Sequence, residues 1–239
     1  MLKQRLLASA IALVSIATLP LACSAQDGPL RYHEGQHYKA VPQPESLGDA
    51  DTVQVAEVFW YGCSHCNHFD PVIHKWEQDL PADVEFIRIP TSLGRKQALD
   101  HSRAYYTAEA LGVLDKVHPA LFQAIHKDGK SLYSKDQIAE VFEEQGVDRE
   151  KFDATFNSFA VENKVRRAEK LVRQFGITGV PALVINGQFT TTGRHTGCFD
   201  ALLTAPHSLL VIDPPFSSHG PHHLPATLSP TLPHSSFST

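Results

Sequence analysis

The chain is sparing with cysteine, methionine and tryptophan: four, one and two in 239 residues. So few cysteines exclude a fold held together by a disulfide framework. The one long apolar run, Leu6 to Leu21, is broken by Pro20 and is too short for a spanning helix. No run of like charges forms a patch, and the formal charge is only −5 with a pI near 6.3. A basic patch for nucleic acid is therefore excluded. There is no glycine-rich phosphate loop, no Ser/His/Asp order and no nucleic-acid module. No second C-x-x-C is present to complete a zinc site. After Arg194 there is no Lys or Arg at all. What remains, with 42% apolar residues, suits one globular domain with room for an inserted subdomain.

The N-terminus reads as a processing signal. Lys3 and Arg5 form a positive n-region ahead of the apolar run. Two outcomes are open. Cys23-Ser24-Ala25 before Gln26 has the small residues of ordinary signal cleavage. Leu19-Pro20-Leu21-Ala22-Cys23 resembles a lipobox, which would leave Cys23 as a lipidated N-terminus. Either predicts an exported, periplasmic protein, and losing Lys3 and Arg5 takes the formal charge from −5 to −7.

Residues 1–25 are thus read as signal and 26–50, rich in Pro, Gly and polar residues, as an extended lead-in. The body runs over 51–203. Residues 53–60 form a buried strand. Residues 63–79 form a helix with Phe69, Val72, Ile73 and Trp76 on one face, kinked at Pro71. Val84 to Ile89 alternate as a second strand. A helical insert spans about 97–175. It includes a helix over Leu114, Val117, Leu121, Phe122 and Ile125, a capping box at Ser134-x-x-Gln137, a helix capped by Asp148 that carries Phe152, Phe156 and Phe159, and a last helix from Val165 to Phe175 ended by Gly176. Ala182 to Ile185 and Gln188 to Thr192 form a hairpin around Asn186-Gly187. The expected fold is α/β: thioredoxin-like, with an inserted helical subdomain. A final helix starting at Gly197 is cut off by Pro206. Residues 204–239 hold seven Pro, five His and seven Ser, with Asp213 the only charge. They read as a disordered low-complexity tail or as a reading-frame change near residue 204, with Leu209 to Ile212 the only piece able to pack.

Chemistry concentrates at Cys63-Ser64-His65-Cys66, a C-x-x-C at a strand-to-helix junction. The first thiol sits at a helix N-terminus, where unpaired N–H groups favour its ionised form. Only the thiolate attacks disulfides. Cys66, one turn on, is close enough to close a bridge, and His65 adds a donor or positive charge. The bland alternatives are a structural disulfide or half a zinc site, with His68 as a third ligand. Glu57 is either an exposed strand residue or, beside Val55, Val58 and Phe59, a buried carboxyl with a raised pKa. Cys198 is left as a free thiol. Trp60, Tyr61 and Trp76 read as core or groove-lining residues.

Glu57, the run Phe59-Trp60-Tyr61-Gly62-Cys63-Ser64-His65-Cys66, the helical insert, and Thr178-Gly179-Val180-Pro181-Ala182 leading into Leu183-Val184-Ile185-Asn186-Gly187 together resemble the DsbA family of thiol:disulfide interchange proteins, over roughly residues 30–203. The resemblance implies that Cys63 is the exposed nucleophile, Cys66 its buried partner and His65 the stabiliser of the Cys63 thiolate. It implies a cis Pro181 facing the active site, in place of a trans turn proline, with the Val180 backbone free to pair with an extended substrate segment. It implies that Glu57 takes the proton of Cys66 when the disulfide closes. A strongly lowered nucleophile pKa and an oxidising dithiol also come with the resemblance. Two departures stand out: Ser64-His65 replaces the family's familiar Pro-His, and the Pro/His/Ser tail replaces its closing helix.

The expected activity is a protein disulfide oxidoreductase that donates the Cys63–Cys66 bond to reduced exported proteins through a mixed disulfide at Cys63. The family implies reoxidation by a DsbB-type membrane partner. No cofactor, metal or nucleic acid is expected, and the protein is expected to be a monomer. The rivals are a low-potential reductase or an isomerase using the same pair, and a metal-binding or chaperone-like protein using it as a clamp.

Overall fold

The protein is described here from a computed structural model that covers residues 33–48, 52–193 and 203. The signal and Cys23, Cys198 and the tail over 204–239 lie outside the described residues.

A five-stranded sheet in the order β1-β5-β4-β2-β3 organises the molecule. One of its interior strands is β2 (Val53–Phe59), buried along almost its whole length. A strand covered on both faces reads as a continuous apolar run, so its two polar exceptions stand out. Gln54 is tied into the neighbouring turn: its N–H donates to Asn186 Oδ1 and its carbonyl accepts from Asn186 N, both at 2.8 Å. Glu57 is the other exception.

Parallel to β2 runs β3 (Val84–Pro90), in a register that sets Glu57 opposite Arg88. On the other side β4 (Ala182–Ile185) pairs antiparallel and returns as β5 (Phe189–Thr192). The turn between them places Asn186 at φ 50° and Gly187 at φ 62°. These are the left-handed conformations that an Asn-Gly hairpin supplies. The lead-in is not wholly outside the fold. Lys39–Ala40 form β1, a short edge strand on β5, and Val41 is buried behind it.

Alternation along β4 separates two cores. Leu183 and Ile185 face Phe69 and Ile73 of α1 (Ser64–Gln78), with Leu203 beside them. Ala182 and Val184 face the larger cluster, filled by Phe59, Tyr61, Tyr105, Leu121 and Phe122. That second layer is the helical insert: a 3₁₀ turn Lys96–Ala98, then α2 (Leu99–Ala110), α3 (Leu114–His126), α4 (Lys135–Glu144), α5 (Arg149–Phe156) and α6 (Phe159–Gln174). Phe59 is fully buried with Tyr61, Tyr105, His118 and Phe122 against its ring. Truncating such a phenylalanine to alanine costs about 3–5 kcal/mol.

The helix boundaries follow local chemistry. Ser134 and Asp148 cap α4 and α5 through the N–H groups of Gln137 and Lys151. The expected helix over Phe152, Phe156 and Phe159 is interrupted. Ser158 accepts from Val161 N–H at 3.2 Å and starts α6 six residues before the expected Val165. Phe159 is therefore not a third core aromatic but a first-turn residue that is 78% exposed. α1 continues as one helix through Pro71. Among the described residues, no helix is long and apolar enough to cross a membrane.

Candidate active site

The end of β2 and the start of α1 meet in a tight turn. Cys63 N–H donates to Trp60 O at 3.0 Å, and Asn67 N–H donates to Cys63 O to begin the helix. The Trp60 ring crosses over Gly62 so closely that a Cβ there would sit 2.4 Å from it, which leaves room only for glycine. Cys63 is the N-cap of α1, with extended backbone, and its sulfur accepts from Cys66 N–H at 3.4 Å.

The two thiols are in opposite environments. Cys63 is half-buried, while Cys66 has no exposed surface. The Cys63 pKa is lowered from 9.0 to about 6. Its hydrogen bond with the Cys66 side chain is the largest cause; burial opposes it, and the N–H groups of Cys66 and His65 and the charge of His65 add to it. Burial and the neighbouring Cys63 push the Cys66 thiol far up. His65 and Ser64 are exposed on the first turn of the helix.

Across from the dithiol, the Val180–Pro181 peptide is cis, and Val180 O lies 3.5 Å from Cys63 Sγ. The pair expected after the insert thus comes to the thiol just ahead of β4, the strand paired with β2. Glu57, on β2 six residues before Cys63, is 2% exposed. Burial raises its pKa from 4.5 to about 8, against the pull of Arg88, with Asp70, Glu77 and Cys63 adding to the rise. Arg88 Nε stands 3.5 Å from Glu57 Oε2 but without hydrogen-bond geometry, whereas its Nη1 reaches Glu77 at 2.9 Å. The guanidinium is thus a nearby charge for Glu57 rather than a hydrogen-bonded partner.

All six expected site residues, Cys63, Cys66, His65, Glu57, Val180 and Pro181, therefore converge on one end of the sheet. Three neighbours were not anticipated: Arg88, Asp70 and His118. Arg88 is a charge inside an otherwise apolar stretch of strand. His118 falls on the apolar stripe of its helix beside Val117 and Leu121, a position where an imidazole needs a polar partner. Those two irregularities were the available signals. Among the described residues, no group of three or more His, Cys, Asp or Glu side chains is placed to hold a metal ion.

A family profile for the DSBA-like thioredoxin domain matches residues 54–197. The chain is 38% identical to a thiol:disulfide interchange protein DsbA of Pseudomonas aeruginosa over 179 residues, 74% of this chain and 82% of that one. It is 39% identical over 155 residues to the DsbA of Azotobacter vinelandii, covering 65% of this chain and 72% of the relative. The crystal structure of Pseudomonas aeruginosa DsbA superposes with a TM-score of 0.71 at 37% identity, covering 75% of this chain and 93% of that chain.

Proposed function

Since the chain belongs to the DsbA-like thioredoxin-domain family and is a thiol:disulfide oxidoreductase, we propose that its Cys63–Cys66 pair works as an oxidase toward reduced exported proteins. The observation that carries this reading is the asymmetry of the pair: one half-exposed thiol held near pKa 6, one buried thiol pushed up. A dithiol whose reduced form is stabilised in this way gives up its disulfide readily.

A substrate thiolate attacks Cys63 Sγ, the Cys63–Cys66 bond breaks, and the electron pair leaves on Cys66. Glu57, neutral at pH 7 with its pKa near 8, supplies the proton that the buried Cys66 sulfur takes up. A second substrate thiolate then attacks the substrate sulfur of the mixed disulfide and expels Cys63 as its stable thiolate. The substrate loses two electrons and gains one disulfide; the enzyme gains two electrons. On reoxidation Glu57 takes the proton back from Cys66. The N–H groups of Cys66 and His65, with the positive end of α1, hold the charge that Cys63 takes on when the second step expels it. The Val180 backbone, beside the sulfur, offers an extended substrate segment a strand to pair with.

Reoxidation is assigned to a DsbB-type membrane partner, and the working form to a monomer in the periplasm. The signal-like N-terminus and the family membership support export. A lipid on Cys23 has no such support, and mass measurement of the purified mature protein decides it. Replacing Cys66 with serine tests the chemistry. Offered a disulfide-bonded peptide, the reduced variant should accumulate a mixed disulfide between Cys63 and one peptide sulfur, with the other peptide sulfur released as thiolate, visible by mass spectrometry; no adduct at Cys63 would overturn the assignment.

A further inference from the structure

The helical insert reaches the dithiol through histidines. His126 Nε2–H, at the end of α3, donates to Tyr61 O at 2.7 Å. His101 of α2 accepts from Trp60 Nε1–H at Nδ1, 3.1 Å, and donates from Nε2 to Ser131 O at 3.0 Å. His118 of α3 does more. Its Nε2 lies 2.9 Å from Asp70 Oδ1, and its Nδ1 lies 2.6 Å from the Tyr61 hydroxyl. The Asp70 carboxylate accepts, so Nε2 carries the proton and Nδ1 accepts from Tyr61.

Those two partners stand on opposite flanks of the active-site motif. Tyr61 is two residues before Cys63. Asp70 is four after Cys66, one turn further along the same face of α1. A single imidazole from the insert therefore spans both sides of Cys63–Cys66. The site is closed: Tyr61 is 1% exposed and His118 9%, with Phe59, Tyr105 and Phe122 packed around the ring. Burial pushes the His118 pKa below its ordinary value, with Asp70 pulling it back and the charges of Arg88 and Glu77 acting from β3 and α1. The imidazole is thus neutral at pH 7, as the two hydrogen bonds require.

Resting on the oxidoreductase reading above, we propose that His118 is a positioning residue for the dithiol, which ties the helical insert to both flanks of Cys63–Cys66 and favours the Cys63 thiolate. Two physical effects run the same way. Asp70 bears electrostatically on Glu57, and the His118 N–H draws down the field of that carboxylate beneath the thiols. The Tyr61 hydroxyl, held at Nδ1, together with the carbonyl held by His126, fixes the backbone that delivers Cys63 to the N-cap. Without His118, Asp70 loses its donor, a buried hydroxyl loses its acceptor, and the N-cap sulfur is less firmly placed over the helix amides.

The test is the glutathione equilibrium of the full chain with a parallel titration of Cys63 thiolate absorbance, in the wild type and in His118→Phe, His118→Gln and Tyr61→Phe. His118→Phe keeps the ring volume and removes both hydrogen bonds. It should shift the equilibrium toward the disulfide by at least about fivefold, what one hydrogen bond of ordinary strength amounts to, and raise the Cys63 pKa. His118→Gln keeps a donor and an acceptor and should stay within about twofold of wild type. Tyr61→Phe removes only the hydroxyl and should shift the equilibrium the same way by a smaller factor; it decides the matter if His118→Phe does not fold. Variants that lose thermal stability but keep the wild-type equilibrium and thiol titration would show a packing role alone and overturn the inference. A wild type that does not exchange with glutathione at all would instead overturn the oxidoreductase reading, and this one with it.

Discussion

The sulfur of Cys63 and the carbonyl oxygen of Val180 are 3.5 Å apart, although 117 positions separate them in the chain. The whole insert is threaded between the two, so the sheet has to close over β2 and β4 before the site exists. Beside that contact the two cysteines differ in exposure and in acidity, and most of what the protein does chemically follows from the difference.

Alkylation reads that difference directly. Only thiolate reacts, so iodoacetamide should label Cys63 of the reduced protein with a half-point near pH 6 and leave Cys66 untouched in the native state. At pH 7 the selectivity should exceed about a hundredfold, measured by peptide mass spectrometry. A half-point near pH 9 for Cys63 would contradict the account.

The same shift predicts how stability depends on redox state. The Cys63 pKa is depressed on folding, so its contribution to the reduced fold is absent below about pH 6 and grows as pH rises from 6 toward 9, the unfolded value. The oxidised protein has no thiol to ionise. The melting temperature of the reduced form, taken relative to the oxidised form, should rise between pH 6 and 8. A difference that is flat or falls over that window would be inconsistent with a stabilised thiolate.

Glu57 carries the opposite sign. Its pKa is raised on folding from 4.5 to about 8, so its contribution is full below 4.5 and is lost as pH rises through 8. In the oxidised protein, Glu57→Gln should therefore gain stability relative to wild type as pH increases from 5 to 8, by on the order of 2–4 kcal/mol across the window. Turnover with a reduced peptide should fall by about tenfold or more, because the buried Cys66 sulfur loses its proton donor and acceptor. Unchanged turnover would remove Glu57 from the mechanism and leave it a strand residue.

Gly187 tests the hairpin that presents Val180 and Pro181. It has φ 62°, and a Cβ on it would stand 1.9 Å from Glu45 O, a backbone atom of the lead-in. Gly187→Ala should destabilise the protein by about 1–3 kcal/mol, read by denaturant unfolding. An alanine variant as stable as wild type would mean that the lead-in does not pack against this turn.

Much of this was legible in the chain. The apolar run of β2, the C-x-x-C after it, the Ser134 and Asp148 caps and the Asn186-Gly187 turn are local signals, and each has the expected place. The misses have local causes too. Ser158 follows Asn157 in a polar stretch between two phenylalanines, and Phe156 and Phe159 fall three apart as if on one helix face. Capping by Ser158 overrides that spacing and turns Phe159 outward. β1 is two residues long and depends on pairing with β5, which no local pattern announces. The partners around the site depend on register and tertiary packing. Glu57 meets Arg88 because β2 and β3 align there, and His118 meets Tyr61 and Asp70 because α3 folds back over the end of β2.

The most direct measurement is the redox equilibrium of Cys63 and Cys66 in graded glutathione buffers, followed by Trp60 and Trp76 fluorescence. Trp60 sits against the active-site turn and Trp76 packs with Phe86 in the second core. The account predicts a pair already reduced by mild, relatively oxidising buffers, because the Cys63 thiolate stabilises the dithiol. A pair that stays oxidised until conditions are strongly reducing would contradict it and mark the protein as a reductase or the bond as a structural one.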